Sequence, residues 1–204
     1  MTTIDAIILE TPDPAAAEAF YAAAFDLKDR VRASASQAPT SGFRGYTMSL
    51  VVGQPSTVDS LVATALAAGA TTLKPAKKSF WGYGAVVQDP FGTIWKIASS
   101  SKKNTEPDTR RIDEIVLLLG VSDVAVTKQF YADQGLSVAK SYGRKYVEFA
   151  TANIKLALYG RRFAAKDAGV PIDGSGSHRL VIDSDAGTFT DPDGFAWNTA
   201  VATN

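Results

Sequence analysis

The chain has 204 residues, 46% of them hydrophobic, and its 21 basic side chains are balanced by 21 acidic ones. Zero net charge supplies no field for nucleic acid or an acidic membrane surface, and the length suits one large domain or two small ones. Cysteine is absent and histidine occurs once, which excludes disulfides, thiolate metal sites, a cysteine nucleophile and any single-chain site with two histidine ligands, and fits a reducing cytoplasm.

The opening residues, MTTIDAIILETPDP, lack a basic n-region and carry Asp5 and Glu10 around a short apolar run, so no signal peptide is expected there. No apolar run approaches the ~20 residues of a membrane span. Residues 4–9 read as a buried strand. Asp13 followed by Pro14 is a helix start, with Asp as cap and Pro in the first turn. Residues 29–34 read as a strand, 46–52 as another, and 56–69 as a helix capped by Ser56 or Thr57 and stopped by Gly69. Strands are expected at TTLKPAKKS, GAVVQ and TIWKIA. The polar, proline-broken stretch 99–111 reads as a linker. Beyond it come a strand at 112–119, Asp123 as a second cap, a helix at 124–134 and Gly135 as its stop. Further strands are expected at LSVAKS, KYVEFAT, IKLALYG, HRLVIDS, GTFT and FAWNTA. The alternation of strands and helices places the chain in a mixed class, α/β or α+β.

Two phrases recur. DPFGTIWKIA (89–98) is echoed by DPDGFAWNTA (191–200), and an apolar strand, acidic turn and FY-bearing helix precede each in the same order. The spacing between landmarks differs, so the halves 1–98 and 112–204 are related but unequal. Asp-Pro-x-Gly suits a turn: Asp accepts backbone hydrogen bonds, Pro presets φ, and Gly follows. Asp89 and Asp191 therefore read as turn formers. Strand alternation puts Trp95 and Ile97 on one face and Lys96 and Ala98 on the other.

KKSFWGYG (77–84) clusters Phe80, Trp81 and Tyr83 beside two glycines. It reads either as hairpin packing or as a stacking wall on a binding cleft. His178 follows GSGS at a strand start. It reads either as a lone surface histidine or as a cleft residue that binds a ligand or acts as a base. GSGS lacks a P-loop lysine and a following helix and reads as a flexible connection. GRRFAAKDAG (160–169) reads as a surface segment.

The strands running into Asp13 and Asp123, the FY helices, the run 64–98 and TDPDGFAWNTA together resemble the vicinal oxygen chelate superfamily: glyoxalase I, bleomycin-resistance proteins and extradiol dioxygenases. The resemblance implies tandem βαβββ modules whose curled mixed sheets form a cleft, with helices on the outer face. Set against that pattern, the first half lacks a hairpin of two strands. The second half lacks its second helix and the strand after it. Each half alone would leave a sheet edge open, so the halves are expected to cover one another in a pseudosymmetric monomer or across a homodimer.

The resemblance also implies metal-ligand positions, and this sequence departs from them. The carboxylate expected after each tryptophan is Lys96 or Asn198. The first-strand histidine positions fall on Ala6 and Val116, with Glu114 two residues before the latter. The remaining histidine position falls near Met48 in the first half and on His178 in the second. Lysine must lose a proton before it can ligate, and Asn is a weak neutral ligand. The leading expectation is a cytoplasmic protein without cofactor that binds a small molecule in a metal-free cleft, through Met48, Phe80, Trp81, Tyr83, Lys96, His178 and Asn198. One alternative is a glyoxalase-type lyase or isomerase, or a dioxygenase, with a divalent metal and with His178 and Glu114 as catalytic groups. Another is a non-catalytic interaction protein with a degenerate cleft. Neither nucleic acid nor membrane is an expected partner.

Overall fold

The computed structural model describes residues 1–107 and 109–199. Its strands are β1 (Thr2–Thr11), β2 (Val31–Ala35), β3 (Thr40–Gly42), β4 (Tyr46–Val52), β5 (Thr71–Ser79), β6 (Gly82–Gln88), β7 (Ile94–Ser99), β8 (Ile112–Val121), β9 (Val138–Ser141), β10 (Tyr146–Phe149), β11 (Thr151–Gly160), β12 (Gly174–Gly176), β13 (Leu180–Ser184), β14 (Phe189–Thr190) and β15 (Ala196–Thr199). The helices are α1 (Pro14–Phe25), α2 (Pro55–Ala67), α3 (Val124–Asp133) and α4 (Arg161–Ala168). Among the described residues, no helix is long and apolar enough to cross a membrane.

Helix starts follow local chemistry. The Asp13 carboxylate accepts from the backbone N–H of Ala16, and that of Asp123 from those of Ala125 and Val126. Helix α2 differs from expectation. Gln54 occupies the cap position and Pro55 the first turn, so Ser56 and Thr57 lie inside the helix. Gln54 instead anchors the 99–111 segment: its Oε1 accepts from the backbone N–H groups of Thr105 and Glu106, and its Nε2 donates to the Glu106 carbonyl. Gly69 and Gly135 follow their helices with φ of +102° and +91°, as the sequence predicts.

Two stretches of chain build the same topology. In the first, β4, α2, β5, β6 and β7 give the strand order β4-β7-β6-β5, with β4 and β7 parallel. In the second, β8, α3, β9, β10 and β11 give β8-β11-β10-β9, with β8 and β11 parallel. Antiparallel pairing of β4 with β8 fuses them, Tyr46 facing Leu119 and Ser49 facing Val116. Strands β3 and β12 pair in a separate two-stranded sheet, and the other remaining strands form a smaller extension. There β1 pairs antiparallel with β13 and parallel with β2, and β13 pairs parallel with β15. A short parallel contact between β1 and β11 joins the extension to the rest, so thirteen strands are continuous. Three pairings, β4 with β8, β1 with β13 and β1 with β11, therefore join a strand from before the 99–111 segment to one from after it.

One face of this sheet packs α1, α2 and α3 over the main core, which includes Trp95, Trp197, Tyr131, Met48 and Leu117. The other face carries a separate, smaller cluster of Phe43, Val86, Ile94, Ala164, Ala165 and Ala168. Three of those residues belong to α4. The segment 160–169, read from sequence as a surface stretch, is thus a helix with its alanines buried against β8, β11 and β4. The GSGS loop is also more ordered than expected: Gly174–Gly176 pairs antiparallel with β3.

Because β4 takes a whole edge of its hydrogen bonds from β8, residues 1–103 expressed alone are expected to yield no cooperatively unfolding monomer. Size-exclusion chromatography with thermal unfolding of that fragment checks this; a stable monomer with a sharp transition would contradict it.

Candidate functional site

The repeated phrases are built for structure. The Asp89 carboxylate accepts from the backbone N–H groups of Phe91 and Thr93 and from the Trp95 indole N–H at 2.9 Å. Asp191 accepts from the backbone N–H groups of Asp193 and Phe195 and from the Tyr131 hydroxyl at 2.6 Å. The Trp197 indole in turn donates to that hydroxyl. In each half the FY helix brings its tyrosine against the tryptophan, with ring centroids 5.7 Å apart for Tyr21–Trp95 and 5.3 Å for Tyr131–Trp197. Burial pushes both aspartate carboxyls above their ordinary value despite these donors, and it raises the Tyr131 phenol well above its own.

The open face of the sheet holds the chemistry. Strand pairing aligns Lys96 with Ser49, Ser49 with Val116, and Val116 with Lys155 across β7, β4, β8 and β11. Lys96 Nζ meets the Asp167 carboxylate of α4 at 2.6 Å, and Lys155 Nζ meets that of Glu114 at 2.6 Å. The hydrogen bond to Glu114 raises the Lys155 ammonium above its usual range, which favours its charged form. On β10, burial followed by the charge of Glu148 pushes the Tyr146 phenol up to about 12.

A pocket of about 370 Å³ opens between the β5–β6 hairpin, β7 and the end of α4, and Trp81, Tyr83 and Lys96 line it. Trp81 is 83% exposed, whereas Trp95 and Trp197 are fully buried. Phe80, 82% exposed, stands edge-on to Trp81 at 5.0 Å, with Lys102 Nζ 5.9 Å above its ring. Tyr83 donates to Asp59 at 2.7 Å, and that bond raises its phenol. Gly82 is required at the hairpin: a Cβ there would meet the Ser99 carbonyl oxygen at 2.0 Å.

The other residues singled out from the sequence lie apart from this pocket. Met48 is fully buried in the main core and pairs with Trp95; strand alternation gives its open-face place to Ser49. Asn198 is exposed on β15, beside Asp183, whose carboxylate pairs with Arg32. Five strands separate β15 from β7. His178 lies outside the open-face row. Its Nδ1 is 2.6 Å from the Arg44 carbonyl oxygen, its Nε2 is 2.8 Å from that of Asp193, and its ring stacks on Phe195 at 3.9 Å. Carbonyl oxygens only accept, so each ring nitrogen faces a main-chain acceptor and the imidazole is held between two loops, away from the pocket. Sequence reasoning missed Ser49, Lys155 and Asp167. Gly169, which caps α4 with φ of +82°, was the available signal for the helix carrying Asp167.

The divalent metal of the family pattern fails on donor chemistry. The aligned row offers two ammonium groups, a hydroxyl and an isopropyl side chain, and the nearest carboxylates are each engaged by a lysine. Among the described residues, no three His, Cys, Asp or Glu converge in a way that would hold a metal ion.

Comparison with known proteins places the fold. No protein-family profile matches the chain and no curated protein matches its sequence. Glyoxalase I from Zea mays superposes with a TM-score of 0.60 at 13% identity, over 97% of this chain and 91% of that one. A putative dioxygenase from Bacillus subtilis superposes with a TM-score of 0.56 at 14% identity, over 89% and 69% respectively. A glyoxalase/bleomycin resistance protein/dioxygenase family enzyme from Burkholderia phytofirmans is 24% identical over 48% of this chain and 98% of its own, with a TM-score of 0.44. The fold is therefore glyoxalase-like, a mixed α+β architecture.

Two predictions concern the structural groups. His178→Ala, which removes both hydrogen bonds and the stack, is expected to destabilise the protein by about 1–3 kcal/mol, read as a lowered urea midpoint. For Asp191, a folded-state value above 3.8 means its contribution to stability is fully present below that pH and is lost as pH rises through the raised value. Wild type should therefore lose stability relative to Asp191→Asn as pH rises from 3.8, as compared by urea unfolding across pH; a constant difference would refute the burial argument.

Proposed function

We propose that this protein binds a small organic molecule in the pocket between the β5–β6 hairpin, β7 and α4, without a metal. The carrying observation is Lys96, an ammonium on the open face where the family pattern has a carboxylate ligand, beside the exposed ring of Trp81. An aromatic side chain at a glycine-flanked rim with a few polar groups beneath it is ordinary small-molecule binding architecture. The nearest functional analogy is a bleomycin-resistance protein, and it rests on fold and donor chemistry. The same reading takes residues 1–98 and 112–204 as two related halves joined by 99–111, with the metal ligands lost.

A second reading has support of its own. Helix α4 occupies part of the open face with three buried alanines, as expected for a degenerate cleft in a protein that interacts through other surfaces. A glyoxalase-type reaction finds less support, because the lysines neutralise the carboxylates it would use.

The test uses the single exposed tryptophan. Titration with planar aromatic compounds is expected to quench and blue-shift the Trp81 emission, and Trp81→Phe should abolish that response while the buried pair still fluoresces. A flat emission spectrum across neutral and charged planar compounds would favour the degenerate cleft.

A further inference from the structure

We propose that the pocket takes an organic anion, and that Asp167 is a resident internal substitute for the ligand's carboxylate; this rests on the pocket reading above. The charges point this way. Lys74, Lys77 and Lys96 line the pocket, and the acidic residue among its lining is Asp167. The site therefore has more cations than it neutralises.

Asp167 reaches Lys96 from the last turn of α4, the turn least committed to the helix. Lys74 Nζ donates to the carbonyls of Lys166 at 2.7 Å and Asp167 at 2.6 Å. A cation at a helix C-terminus satisfies carbonyls that the helix itself leaves open. Gly169 then lets the chain turn away, with the Lys74 side chain packed against it: a Cβ there would fall 2.8 Å from Lys74 Cε. Two lysines thus hold one helix end, one through the backbone and one through a side chain.

The second hold is the weaker. The Lys96 and Asp167 side chains are 37% and 41% exposed, and a surface ion pair of that kind contributes little in water and is screened by salt. An entering carboxylate with an aromatic body replaces Asp167 on Lys96 and gains contact with Trp81, while Lys74 keeps its hold on the helix carbonyls. The Lys96–Asp167 pair in the pocket wall is the contact that the right ligand exchanges. A neutral ligand has nothing to exchange and leaves the pair in place.

Calorimetric titration with 2-naphthoate and its neutral isostere 2-naphthamide tests this. Wild type is expected to prefer naphthoate. Asp167→Asn should bind naphthoate about fivefold more tightly, the range one surface ion pair can supply, with naphthamide within twofold of wild type. Lys96→Gln should remove the preference for the anion. Thermal unfolding of both variants establishes that they are folded. If both compounds bind but Asp167→Asn leaves naphthoate affinity unchanged or weaker, the exchange is refuted and the pocket reading stands. If neither compound binds any variant, both fall.

Discussion

The pairing of β4 with β8 is the constraint on which the molecule depends. Each strand opens a βαβββ stretch, and their pairing joins the two stretches into one continuous sheet. Their antiparallel register sets Ser49 against Val116 and so fixes which side chains form a line across the open face. A slip by one residue would turn Met48 and Leu117 out of the core and Ser49 into it. The smaller extension repeats the device with β1 and β13, but Asp183 is paired there with Arg32 and the extension stays short.

The duplicated phrase serves that pairing from beneath. Each aspartate organises a tight turn with one carboxylate oxygen and uses the other to fix an aromatic anchor. Trp95 reaches Asp89 directly, whereas Trp197 reaches Asp191 through Tyr131. The two solutions differ in one hydroxyl and have the same effect: a large buried ring is held under a helix, and the next residue along the strand is delivered to the opposite face. What stands at that next residue then decides the chemistry. Lysine at 96 gives the open face a cation, and α4 supplies the counter-charge from a part of the chain about seventy residues away in sequence.

Much of this was legible in the residues. Asp13 and Asp123 cap helices because a short acceptor before an apolar periodic run has few other uses. Trp95 and Lys96 fall on opposite faces because strand alternation allows nothing else. An unpaired strand edge is costly, so strands on either side of 99–111 are expected to cover one another, and β4 pairs with β8 within the chain. The aromatic cluster at 80–83 reads equally as packing or as a binding wall; Trp81 and Tyr83 line the pocket, and Phe80 is exposed beside Trp81.

What only the tertiary structure decided has one physical cause: local pattern fixes which face a side chain takes and leaves open what lies across from it. The sequence determined the class of fold, the aspartate caps of α1 and α3, the Asp-Pro-x-Gly turns and the residues Lys96 and Asn198 that follow the two tryptophans. It left His178 open between surface residue and cleft base, and folding set its two nitrogens against two carbonyl oxygens from distant loops. It put a site residue near Met48, and folding buried Met48 in the core and put its neighbour Ser49 on the open face. It read 160–169 as surface, because a short alanine-bearing helix with charged flanks carries no signal of the hollow it fills. That hollow exists only once β4 and β8 have joined.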